Sequence, residues 1–155
     1  MADSSFRRLD VDQYDEDRVL PSDLYIPDSR PPATVLSDTQ GKATAVRGLL
    51  QRGDVRGALG EVLVDAPYGE GVDDAKAIAL QSILSILNST KSTDIPAIVS
   101  DLNPQEQVTL MKYLYKAMEN LGETSGNVVL GWHEKLVESA GTGCIVRVMT
   151  DRKRV

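Results

Sequence analysis

The sequence predicts an all-α protein: an irregular bundle of about six or seven short helices over residues 41–155, behind a disordered acidic amino-terminal arm, residues 1–40. Three observations lead there. From Gly41 onward apolar residues recur at helical spacing, in stretches closed by glycine or proline. Residues 1–40 hold nine acidic residues, four of the seven prolines, the only phenylalanine and no glycine. Only Cys144 to Met149 reads as a strand by propensity, and no second strand exists to pair with it.

In the arm, acids alternate with isolated apolar residues: Phe6, Leu9, Val11 and Tyr14, then Val19-Leu20 and Leu24-Tyr25-Ile26. Pro21, Pro27, Pro31 and Pro32 bias their predecessors away from helix. Nine acids against four arginines give −5 here, leaving −1 of the net −6 to the rest of the chain. Low hydropathy with net charge predicts disorder in isolation, and spaced anchors fit ordering on a partner. Composition alone reads equally well as a solubilising tail.

The block opens with an αα-hairpin. Ser37 or Asp38 caps a helix that turns Val46, Leu49 and Leu50 to one face and ends at Gly53. Asp54 caps the next, where Val55, Ala58, Leu59, Val62 and Leu63 form a stripe. Asp73 starts a longer helix to about Asn88, apolar on most sides and so expected in the centre of the bundle. Asp94 begins a short helix with Ile95, Ile98, Val99 and Leu102 inward. Asn103-Pro104-Gln105-Glu106 resembles a capping box with proline at the first helical position. Its helix carries Leu110, Tyr113, Leu114, Ala117 and Leu121 inward, with Gly122 as the stop. Met111, Tyr115 and Met118 share the adjacent face, as core edge or as contact surface. A further helix spans about Thr124 to Ser139 with Val128, Val129, Trp132, Leu136 and Val137, closed by Gly141. Cys144 to Met149 is read as a short, mostly buried final helix.

A chain of 155 residues fits one domain, and about 115 residues without the arm still suffice for a core. An acidic chain argues against general binding to nucleic acid or anionic membranes, because counterion release needs a basic surface. The exception, Arg152-Lys153-Arg154, reads as a solvated end. One cysteine excludes an internal disulfide and fits a reducing compartment. No secretory signal or membrane-spanning run is apparent, so a cytosolic place is expected.

Catalytic constellations are nearly absent. His133 is the only histidine, and His133-Glu134 lacks the second histidine of a zinc-protease helix. Cys144 sits in an apolar run, where a thiol acts as a small hydrophobe. Asp10 with Asp12 lies in the arm, and Asp73 with Asp74 sits at a helix start where acids favour the dipole. No metal site, cofactor or enzyme is expected.

Phe6-Arg7-Arg8-Leu9-Asp10-Val11-Asp12-Gln13-Tyr14-Asp15-Glu16 resembles the amino-terminal signature of the smallest subunit of the actin-related protein 2/3 complex. Leu110-Met111-Lys112-Tyr113-Leu114-Tyr115-Lys116 is similar to that family's central helix. Gly131-Trp132-His133-Glu134-Lys135 and the run from Gly141 to Thr150 are similar to its carboxy-terminal block. The stretches 20–37 and 66–74 carry no matching signature. The resemblance implies an all-α, non-catalytic member of a seven-subunit actin nucleator that branches filaments in the cytoplasm, at cortical actin patches or lamellipodia-like networks. It implies a helical domain seated on the β-propeller subunit and a scaffold subunit, with the arm tethering the actin-related protein 2 subunit. Carried over to this sequence, the arm contacts are Phe6, Arg7, Leu9, Val11 and Tyr14, while Trp132, His133 and Arg147 help form or support the docking surface. The competing reading is a free-standing helical adaptor that binds short peptides. It rests on Leu50-Gln51-Arg52-Gly53-Asp54, which looks like a fragment of a tetratricopeptide-type repeat but appears once.

Overall fold

Proline and short polar side chains set most of the helix starts, and glycine sets several of the stops. The structure is a computed structural model and describes residues 19–119 and 125–155. Among these residues every regular element is helical: α1 Pro21–Leu24, α2 Pro32–Gln51, α3 Val55–Leu63, α4 Asp73–Ser89, α5 Ile95–Ser100, α6 Pro104–Glu119, α7 Gly126–Ala140 and α8 Gly143–Thr150. The first is a single turn; the seven that follow make the all-α body. The expected positions Leu121, Gly122 and Thr124, and the arm before Val19, lie outside the described residues.

One start differs from expectation. α2 begins at Pro32, not after Ser37 or Asp38, so the boundary expected near residue 40 falls inside a helix. Proline at the first helical position lacks only an N–H that the first turn leaves free, and its fixed φ suits the helix. Val35, Thr39, Ala43 and Val46 then fall on one buried face. Thr39 is tolerated there because its hydroxyl donates to the Val35 carbonyl at 2.7 Å.

The hairpin follows as expected. Gly53 adopts φ +75, and the Asp54 carboxylate accepts the Gly57 N–H at 2.8 Å to open α3. Lys42 on α2 donates to the Val64 carbonyl at 2.5 Å, fastening the far end of the hairpin. α4 buries eight of its side chains, Ile83 and Ile86 completely, as its nearly all-round apolar pattern requires. At its entrance Val72 and Ala75 meet Val35 in a small satellite cluster.

α6 is the hub, touching α3, α4, α7 and α8. Its start is a reciprocal box: Asn103 Oδ1 accepts the Glu106 N–H at 2.9 Å, and the Glu106 carboxylate accepts the Asn103 N–H at 2.9 Å. Glu106 is buried, and Arg56 of α3 pairs with it at 2.9 Å, so the box also joins two helices. Leu110, Tyr113, Leu114 and Ala117 are buried as expected, and Met111 joins them at 0% exposure. Tyr115 and Met118 stay half-buried against the core.

α8 is helical, as read from the lack of a strand partner, but it is not mostly buried. Only Cys144 is enclosed; Val146 and Met149 stand 61% and 66% exposed. Eight residues laid on α6 and α7 turn one narrow stripe inward, Cys144 with Ile145 and Val148 partly covered, and the opposite apolar residues remain in solvent.

Asn103→Ala removes one half of the box that starts the hub helix. It is expected to cost about 1 kcal/mol in urea denaturation, within the 0.5–2 range of such caps. An unchanged midpoint would show that Glu106 and Arg56 alone hold this start.

Candidate partner-binding surfaces

Phe6, Arg7, Leu9, Val11 and Tyr14 precede the described residues, whereas Trp132, His133 and Arg147 fall on adjoining helices with three different degrees of exposure. Trp132 is fully buried on the inner face of α7 and presents no surface of its own. His133, one residue on, is half-buried: its Nε2 lies 3.4 Å from the Tyr115 hydroxyl, with the rings edge-on at 5.6 Å. Arg147 is exposed in the last turn of α8, where a cation suits the helix dipole. It also partly offsets the upward push of burial on the Cys144 thiol. The three residues thus differ in kind: a buried indole, a half-buried imidazole paired with a tyrosine ring, and an exposed cation beside Cys144.

The same two helices carry apolar side chains that no described residue covers. Leu130 of α7 is 57% exposed, and Val146 and Met149 stand out from α8. A groove between α6, α8 and the chain around Tyr25 is lined by Leu24, Tyr115, Val148 and Met149 with Lys116 at its edge. Along the chain next to Tyr25, Val19, Leu20, Leu24 and Ile26 are exposed. Apolar side chains gathered like this on a small protein mark contact surface.

Arg152-Lys153-Arg154 is exposed, as a solvated end would be, but it also makes contacts that the sequence reading does not anticipate. Lys112 of α6 bonds the Asp151 carboxylate and the Lys153 carbonyl, both at 2.7 Å. Burial pushes the Asp151 carboxyl up, and the bonds from Lys112 and the Lys153 N–H outweigh it, holding the group below its ordinary range. From that anchor Arg152 donates to the Leu24 carbonyl at 3.2 Å and to the Asp23 carbonyl, the free carbonyls at the end of α1. The Ile26 N–H donates back to the Arg152 carbonyl at 3.1 Å. The Arg154 guanidinium covers the Tyr25 ring at 4.2 Å, and Lys153 sits 4.8 Å from the Tyr68 ring centre. The Gly69 N–H reaches the Arg154 carbonyl at 3.3 Å. Gly69 has φ +88, and a Cβ there would stand 2.8 Å from the Asp28 nitrogen, so this crossing requires glycine. No local signal announces contacts between residues 128 apart; only the aromatic rings at 25 and 68 and the basic run hint at them.

Just beyond, Asp28 and Arg30 close a tight turn with guanidinium bonds of 3.0 and 2.7 Å. The Arg30 side chain holds the Asp28 carboxyl below its ordinary value of 3.8, against the upward push of burial. Elsewhere, among the described residues, no cluster of histidine, cysteine and carboxylates is placed to hold a metal ion. No described helix is long and apolar enough to cross a membrane.

Two buried polar atoms, the Tyr113 hydroxyl and the Trp132 indole nitrogen, find no hydrogen-bond partner among the described residues. Burial accordingly raises the Tyr113 pKa far above its ordinary value. Tyr113→Phe removes an unsatisfied hydroxyl and keeps the ring, so urea denaturation should show unchanged stability or a gain of up to about 1 kcal/mol. Trp132→Ala should cost about 3–5 kcal/mol by opening a cavity. A marked loss in Tyr113→Phe would mean that the hydroxyl is bonded. The Asp28 turn makes a prediction in pH: a depressed carboxyl stabilises fully above 3.8 and progressively less as pH falls through its lowered folded value. Stability measured at pH 6 and pH 3 should therefore fall less in Asp28→Asn than in the native chain; equal falls would contradict the turn's contribution.

The model of one protein family, the ARP2/3 complex 16 kDa subunit (p16-Arc), matches residues 5–155. The chain is 37% identical to Actin-related protein 2/3 complex subunit 5-C of Xenopus laevis, over 97% of this chain and 94% of that protein. It is 34% identical to the human Actin-related protein 2/3 complex subunit 5-like protein, over 98% and 95%. With Actin-related protein 2/3 complex subunit 5 of Saccharomyces cerevisiae it shares 30% identity over 99% of both.

Proposed function

The chain belongs to the ARP2/3 complex 16 kDa subunit family, and from that premise we propose that it is a non-catalytic anchor and tether within the complex. Its partners are other subunits of that complex. The helical body seats on the β-propeller subunit and a scaffold subunit through the exposed face of α7 and α8, with Leu130, Val146 and Met149 as apolar contacts and Arg147 and His133 beside them. The arm carries Phe6, Arg7, Leu9, Val11 and Tyr14 to the actin-related protein 2 subunit and keeps it attached while it moves. The complex in turn acts on actin filaments, nucleating branches in the cytoplasmic actin cytoskeleton, at cortical patches or lamellipodia-like networks.

The observation that carries this reading is the reach of the family match from residue 5 to residue 155, arm and body together. A chain made only to pack would not need the arm's spaced apolar residues among six acids in its first 18 positions. A flexible segment of that length has an r.m.s. span of about 23 Å, enough to cross part of a neighbouring subunit. With the body seated first, arm binding becomes intramolecular, so weak anchors suffice. Burying Phe6, Leu9, Val11 and Tyr14 contributes at most about 1.5–3 kcal/mol each, offset in large part by the cost of ordering the arm. Such a balance suits an attachment that must follow a moving subunit.

The test is a complex reconstituted with residues 19–155 in place of the full chain. The body should incorporate normally, because α2 and its buried Val35 remain intact, while filament branching falls. Phe6→Ala with Tyr14→Ala should reproduce most of that fall. Branching at the native rate by the truncated form would rule out the tether.

A further inference from the structure

We propose that Arg152 is a positioning residue for the arm: residues 151–155 form a clasp that fixes where the arm leaves the body and how much of it is free. This deepens the tether reading above and rests on it. The clasp has a fixed end, Asp151 and the Lys153 carbonyl held by Lys112 on the hub helix. It has a working end, the Arg152 guanidinium on the carbonyls of Asp23 and Leu24, answered by the Ile26 N–H on the Arg152 carbonyl. Arg154 over the Tyr25 ring closes it from the side. These contacts engage residues 23–26, the last stretch before the apolar arm anchors begin. Arg152 itself is exposed, and its guanidinium is spent on the carbonyls of residues 23 and 24.

Its consequence is mechanical. With the clasp shut, the linker between Tyr14 and the first fixed residue, Asp23, is about 9 residues; with it open, fixation retreats to the Pro27–Arg30 turn and the linker grows to about 13. Effective concentration falls roughly as the −3/2 power of linker length, which gives about a two-fold loss of arm occupancy.

The clasp is read directly by a distance. Nitroxide labels at Leu20→Cys and Glu138→Cys should give one narrow distance distribution in the full chain. Buried Cys144, its thiol pushed up by burial, stays unlabelled. Arg152→Ala should broaden that distribution without shifting the melting temperature of the body, and Arg152→Lys, which keeps a donor for the two carbonyls, should restore part of it. In the reconstituted complex, a photo-cross-linker in place of Phe6 should lose about two-fold in yield when Arg152→Ala and Arg154→Ala together open the clasp, while incorporation is unchanged. An unaltered distribution, or an unaltered cross-link yield in a complex where removing residues 1–18 does lower branching, would overturn the clasp. If removing residues 1–18 has no effect, the tether reading fails, and the distance distribution still decides whether Arg152 holds the root.

Discussion

An amphipathic helix of 16 residues keeps its apolar side dry only if other helices cover it, and α6 is covered by four: α3, α4, α7 and α8. Leu110, Met111, Tyr113 and Leu114 are each 1% exposed or less, which places the centre of the core on this one helix. Its first turn is fixed by Asn103 and Glu106, tied by Arg56 to α3. Its Lys112 holds the closing segment. Remove α6 and the hairpin of α2 and α3, the α7–α8 pair and the root of the arm lose their common support.

That dependence is what would let so small a body act as both seat and anchor point, as proposed above. The side of α7 that faces inward carries Val129, Trp132 and Leu136, all fully buried, so the outward side can be given over to other contacts without loss of core. α8 repeats the division at smaller scale, Cys144 inward and Val146 with Met149 outward. Exposed apolar groups of this kind cost a free monomer solubility and are useful only where a neighbour covers them. In the function proposed above, another subunit of the complex is that neighbour.

Much of this fold was legible in the sequence because the signals are local. The Asp54 cap, the Asn103-Pro104-Gln105-Glu106 box and the stripes of α3 and α4 act within one or two helical turns, and each stands where its pattern places it. The start of α2 was misread because proline both disfavours helix before it and opens helix at it; Pro31 and Pro32 were weighed only in the first sense. The exposure of α8 depends on how many neighbours cover it, which its own eight residues do not encode. Trp132 was read within the apolar stripe of its helix, and it is fully buried there. Arg152 was unreadable for a further reason: its partners are carbonyls of residues 23 and 24, and a carbonyl has no letter in the sequence.

The most direct measurement is amide hydrogen exchange on the full chain, free and within the assembled complex under one set of conditions. A subunit that anchors by its body and tethers by its arm should gain protection at two separate places, residues 1–18 and the outer faces of α7 and α8. Protection gained on the body alone, with residues 1–18 exchanging identically in both states, would contradict it.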